Sequence, residues 1–241
     1  MLNEHDHAEV PQNTEHVDHA QLNANDAARR RVLEYDGSLL DCEHTGNPEE
    51  GPAVDRSARI MDQWEQSKDP EARRKLLEGV GREMMNVHEA PPAPVNAKSM
   101  AEGDLGAHDD RAFLTDLNRE QLKQDNPEGA LDTYLHEYRH VEQHYEAQKS
   151  HGALAHDANG ERAPAMEYNL NHYIDGHKDF DAYKRQLVEA DARRFASTTA
   201  GEILERRQEL HQEYPGWGDE PASGADRIAR TRLIAEGKPR S

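Results

Sequence analysis

His136 and His140 stand four residues apart in the run Leu131-Asp132-Thr133-Tyr134-Leu135-His136-Glu137-Tyr138-Arg139-His140. On a helix that spacing is about one turn, so both imidazoles project from one face with Glu137 beside them. Two imidazoles placed this way can take two corners of a tetrahedral metal site, and the neighbouring carboxylate can accept a proton from a metal-bound water. The chain must therefore build a helix here and bring a third donor to its histidine face.

The flanking residues support that helix. Asn126-Pro127-Glu128 reads as its start, with Asn as N-cap, Pro in the first turn and an acid at the positive end of the dipole. No Pro interrupts the sequence from there to about Lys149, and Gly129, its only Gly, falls in the first turn. Leu131, Leu135, Tyr138 and Val141 supply an apolar stripe.

Catalytic metal sites usually take three protein donors. His144 extends the ladder of histidines, but eight helical residues span about 12 Å. One ion with donors about 2 Å away cannot bind both His136 and His144, so His144 is expected on a solvated helix face. The better third donor is Glu189, which lies 49 residues after His140 in Leu187-Val188-Glu189-Ala190-Asp191-Ala192-Arg193-Arg194-Phe195-Ala196. Ala192 and Ala196 share its helical face and would let a second helix approach closely. Asp191 falls on the other side, beside Leu187, Val188 and Phe195, where it is expected to accept the free N–H of a ligating histidine.

Composition narrows the alternatives. A chain of 241 residues with 34% hydrophobic residues, 32% charged residues and net charge −19 is poor in core-forming side chains, so part of it is expected not to pack. The acidity argues against nucleic acid as partner, since phosphate would be repelled. The single cysteine, Cys42, excludes an intramolecular disulfide framework and a multi-cysteine metal site. No apolar run approaches membrane-spanning length. The first residues lack the basic and apolar regions of a signal peptide, so the protein is expected to be cytoplasmic as made, with any export through a specialised machine.

Residues 1–54 are polar and acidic, and His5, His7, His16 and His19 read as part of a disordered or adaptor segment that offers a contact for a secretion machine or chaperone. A helical segment is expected over 55–94, with a short helix at Ile60, Met61 and Trp64 and a second opened by Asp69-Pro70-Glu71 and carrying Leu76, Leu77, Val80, Met84 and Met85. Pro91-Pro92-Ala93-Pro94 ends it. The strand signal lies at residues 112–117, after a turn over Gly106–Asp110. A loop is expected over Gly152–Gly176, then a helix capped by Asp179 or Asp181 running to about Thr198 or beyond. The tail, 214–241, is turn-rich with a short basic helix at 227–235. The fold class expected is α+β, mainly helical, with a small sheet next to the histidine helix.

Together, His136-Glu137-x-x-His140 followed by Glu189-Ala190-Asp191 resembles the gluzincin class of zinc metallopeptidases. The resemblance covers about residues 95–200, within an expected zincin-like domain over 95–213. In its organisation the chain is similar to minimal zincin domains of bacterial secreted effectors and polymorphic toxins. The resemblance implies Zn²⁺ held by His136, His140 and Glu189, Glu137 as the base that activates water, and a protein or peptide substrate. It also implies a donor for the developing oxyanion, for which Tyr168, His172, Tyr173 and His177 are open alternatives. Two other classes compete with the endopeptidase: a zincin-fold binding or adaptor module without peptidase activity, and an acidic helical interaction protein whose motif is coincidental.

Overall fold

The structure, a computed structural model, describes residues 50–88, 90–109, 111–150 and 162–214. Cys42, the amino-terminal histidines and the basic helix expected at 227–235 lie outside the described residues.

Helix α1, Glu50–Met61, begins somewhat before the expected Asp55. Helix α2, Pro70–His88, starts where Asp69 accepts hydrogen bonds from the backbone of Glu71 and Ala72. Between them Trp64 is fully buried and donates through Nε1 to the Gln124 carbonyl at 3.0 Å. Arg73 is buried against its ring, 4.9 Å away, and donates to the carbonyls of Trp64, Leu122 and Gln124. This charge takes up backbone acceptors of the chain entering the next helix, and so ties the first two helices to the base of the site-bearing one.

The Pro91–Pro94 connector leads into β1, Val95–Lys98, followed by β2, Gly106–Asp109, and β3, Leu114–Asn118. The order is β1-β3-β2, with β1 parallel to β3 (Val95 opposite Thr115) and β2 antiparallel to it (Gly106 opposite Leu117). Only part of this was expected. Residues 112 and 113 belong to the turn, where Phe113 adopts φ 48°, and the supposed turn at 106–110 contains edge strand β2. Four residues beginning with glycine carry too little alternation to be told from a turn; pairing with β3 makes them a strand.

Helix α3, Glu128–Ser150, carries the histidine pair. Asn126 accepts from the Glu128 amide at 3.0 Å, the expected cap. Gly81 lets α2 approach it: a methyl group there would fall 1.8 Å from the Tyr134 hydroxyl. The region expected as a loop over 152–176 contains helix α4, Arg162–Asn171. Pro164 falls in its first turn, where a missing N–H costs nothing, so it does not act as the breaker it resembles in sequence.

The expected single helix from Asp179 is two. Asp179 caps α5, Phe180–Arg185, through the Ala182 amide, and Gln186, with ψ 142°, breaks the chain before α6, Leu187–Glu213. Gln186 exchanges hydrogen bonds with both backbone groups of Ile174, and Asn169 accepts from the Val188 amide at the start of α6. Helices α3 and α6 form the most extensive pairing in the fold, with Ala192, Ala196 and Ala200 buried between neighbours. The architecture is α+β and mainly helical, with a three-stranded mixed sheet beside the histidine helix.

Candidate metal centre

His136 and His140 point Nε2 atoms at a common spot, 3.1 Å apart, with their rings edge to face. From α6, fully buried Glu189 places Oε2 3.3 Å from His136 Nε2 and Oε1 3.4 Å from His140 Nε2. Two donors each about 2.0–2.1 Å from a tetrahedral ion sit about 3.4 Å apart, so these separations match a shared ion. Glu189 Oε2 is buried and accepts no hydrogen bond among the described residues. Arg193 Nη1, 3.7 Å away, is too distant to donate to it, so the acceptor is left for a cation held among the three side chains. Two imidazoles and a carboxylate thus form a set that fits a divalent metal ion, and it is the one such group among the described residues.

The electrostatics agree with that geometry. Burial disfavours the Glu189 charge, yet pairing with His136 and His140 holds its carboxyl far below the usual range. Burial likewise opposes the His140 cation, but Glu189 prevails and raises the ring to about 9.

Glu137 faces the same cavity, a space of about 320 Å³ bounded by β2, α3 and α6. Burial pushes its carboxyl up; the two histidines and a hydrogen bond from the His108 backbone amide pull it back only in part. Gly106 on β2 makes that contact possible. A methyl at this position would lie 2.7 Å from Thr133 Cγ2 and 3.1 Å from Glu137 Oε1. Nothing in the sequence around Gly106 marks this approach; only the packing of the edge strand on α3 shows it.

Of the four expected oxyanion donors, one reaches the cavity. Tyr173 lines it and donates to Glu189 Oε1 at 2.6 Å. Tyr168 and His172 instead stack on each other at 4.1 Å, and His177 bonds its backbone amide to Asp175; none of these three lines the cavity. Tyr183, which carries no distinguishing signal in the sequence, lines it in their place. Burial first, then the Glu189 charge, raises both cavity tyrosines above the ordinary phenol range, so they stay protonated donors. His144 is also corrected: it is half-buried and lines the cavity, its ring 6.0 Å from that of His108.

Asp191 is buried as expected but does not take the His140 N–H. That partner is Gln143, whose Oε1 lies 2.9 Å from His140 Nδ1 and whose Nε2 donates to Asp191 Oδ2 and to the Val188 carbonyl. Asp191 is displaced one step outward because Arg139 claims it, donating through Nε at 2.8 Å. Arg139 also donates to Glu142 at 2.7 Å and lies over the Phe195 ring. The Arg139–Glu142 spacing of three residues was a legible signal for this pair. Its burial was not.

No described helix is long and apolar enough to cross a membrane. Comparison with family models, curated proteins and solved structures finds no match. What the fold assembles is a buried His136–His140–Glu189 group, able to hold a metal ion at the floor of a cavity that also contains Glu137.

Proposed function

We propose that this chain is a zinc-dependent endopeptidase of the gluzincin type, acting on a protein or peptide substrate. The observation that carries the reading is the convergence of His136, His140 and Glu189 with Glu137 buried at the same cavity, beside edge strand β2. A nitrogen-rich donor set of this kind suits zinc better than magnesium or calcium, which prefer oxygen donors throughout.

When bound, zinc supplies a Lewis acid that acidifies water and polarises a carbonyl. The protein supplies the rest. The Glu137 carboxylate accepts the proton of the attacking water and hands it to the leaving amine, a task suited to a carboxyl whose proton affinity burial has raised. Tyr173 and Tyr183 line the cavity as phenol donors, and Tyr173, whose single proton is engaged by Glu189 Oε1, must turn from it to serve charge developing on the carbonyl oxygen. Strand β2 is an edge, and an extended peptide can add to it by backbone hydrogen bonds. A metal-holding adaptor would have no need of a carboxylate at position 137, so its presence favours the enzyme over the adaptor reading.

The test is zinc content and hydrolysis of unstructured protein substrates by the wild-type chain and by Glu137→Gln. Glu137→Gln is expected to keep one zinc per chain and the fold while losing turnover, because an amide cannot accept the proton. Undiminished hydrolysis by the variant, or a wild-type chain that binds no zinc, refutes the proposal.

A further inference from the structure

Gln143 stands on α3 one turn beyond His140, on no residue list that the motif would suggest. Its side chain is fully buried and every polar atom of its amide is engaged. Nε2 lies 2.9 Å from the Val188 carbonyl and 2.9 Å from Asp191 Oδ2. A carbonyl oxygen has no proton to donate, and Asp191 Oδ2 is already accepting from Arg139 Nε at 2.8 Å. Both neighbours are acceptors, so the NH₂ end of the amide must face them and both of its protons are used.

This leaves only Oε1 for the histidine. Oε1 lies 2.9 Å from His140 Nδ1 and can only accept. His140 Nδ1 must therefore carry a hydrogen, which places the lone pair of the neutral ring on Nε2, the atom directed at His136 and Glu189. The direction of the amide is fixed from α6, by Val188 and Asp191, and behind them by the Arg139 guanidinium.

We infer that Gln143 is the positioning residue of the metal centre, a donor–acceptor adaptor that converts the acceptor-only wall of α6 into an acceptor for His140 and so fixes the ring tautomer and orientation that ligation requires. The inference rests on the metal-centre reading. It assigns to Gln143 what a carboxylate commonly does for a ligating histidine. It also explains why the carboxylate at 191 is not itself in contact with the ring: Asp191 is already the counter-ion of Arg139, and the amide donates to it at one end and accepts from the ring at the other.

The experiment uses the full chain with ¹⁵N-labelled histidine, loaded with zinc, and reads zinc affinity by chelator competition and the ring protons of His140 by ¹H–¹⁵N correlation. In the wild type, His140 is expected to show a slowly exchanging Nδ1–H and a metal-bound Nε2. Gln143→Leu is expected to weaken zinc about 10–100-fold, the usual effect of losing such a partner, and to lose the slow Nδ1–H. Gln143→Glu sets one carboxylate oxygen against both the Val188 carbonyl and Asp191 Oδ2 and is expected to weaken zinc as well. The wild-type spectrum decides the matter should Gln143→Leu not fold, because it reads the His140 tautomer in the native chain. Unchanged affinity and an unchanged slow Nδ1–H in Gln143→Leu, with only a lowered melting temperature, would reduce Gln143 to a packing residue and leave the zinc reading intact. A wild-type His140 that binds zinc through Nδ1, or whose Nδ1 carries no slowly exchanging proton, overturns the polarity argument. A wild-type chain without zinc overturns both.

Discussion

Removing the Arg139 guanidinium should cost more stability than removing any ordinary surface charge, and the structure says how much. Arg139 is 5% exposed, its Nε is 2.8 Å from Asp191 and its Nη1 2.7 Å from Glu142, both of which are buried. Arg139→Met fills much of the same volume and keeps contact with Phe195, but it strands two carboxylates in a low-dielectric interior. Breaking a buried pair from one side costs about 3–5 kcal/mol, which at about 2–4 °C per kcal/mol lowers Tm by about 6–20 °C. Urea and thermal unfolding of the zinc-free chain measure it without interference from metal. The control is the triple variant Arg139→Met, Asp191→Asn, Glu142→Gln, which removes the stranded charges and should regain most of the loss. A loss below about 1 kcal/mol, the range of exposed pairs, would refute the reasoning. So would a triple variant no more stable than the single one, since the cost would then come from packing.

Three further outcomes follow from the geometry. Gly106→Ala forces a methyl into the space between Thr133 and Glu137; it should cost about 1–3 kcal/mol by overpacking and lower turnover far more than zinc affinity, and an equal loss of both would detach Gly106 from Glu137. Burial first, and then the Arg139 charge, lowers His88 from 6.5 to about 4; the unfolded chain therefore takes up a proton that the fold refuses, and stability should fall as pH drops from 6.5 to 4. His88→Leu should flatten that part of the unfolding free energy measured against pH, and an unaltered slope excludes His88 as its source. Each of His136→Ala, His140→Ala and Glu189→Ala removes one donor and should abolish stoichiometric zinc, and chelation of the wild type should lower its stability by about 4 kcal/mol relative to zinc at a thousand times Kd; retention of zinc by any of the three variants would remove that residue from the centre.

What could be read from the chain alone is what short-range spacing controls. A four-residue interval on a capped, uninterrupted helix places two imidazoles on one face, because the helix repeat is a property of the backbone. The same phase argument put Glu189 with Ala192 and Ala196 on the side that meets α3, and set Asp191 apart from it; the structure has all four buried and Glu189 alone of the two carboxylates beside the histidines. The α+β class followed from long periodic segments and one strand signal. Where the sequence misled, the outcome depended on partners distant along the chain. Gly106–Asp109 is a strand because β3 pairs with it, α4 forms across a proline that falls in its first turn, and the helix expected from Asp179 is cut at Gln186, which hydrogen-bonds Ile174. The choice of Gln143 over Asp191 as the partner of His140 was decided at longer range still. It depends on Arg139 reaching across from α3 to α6 and taking the carboxylate first, and a competition between a guanidinium and an imidazole for one buried acceptor is settled by three-dimensional distance, which no spacing along the chain encodes.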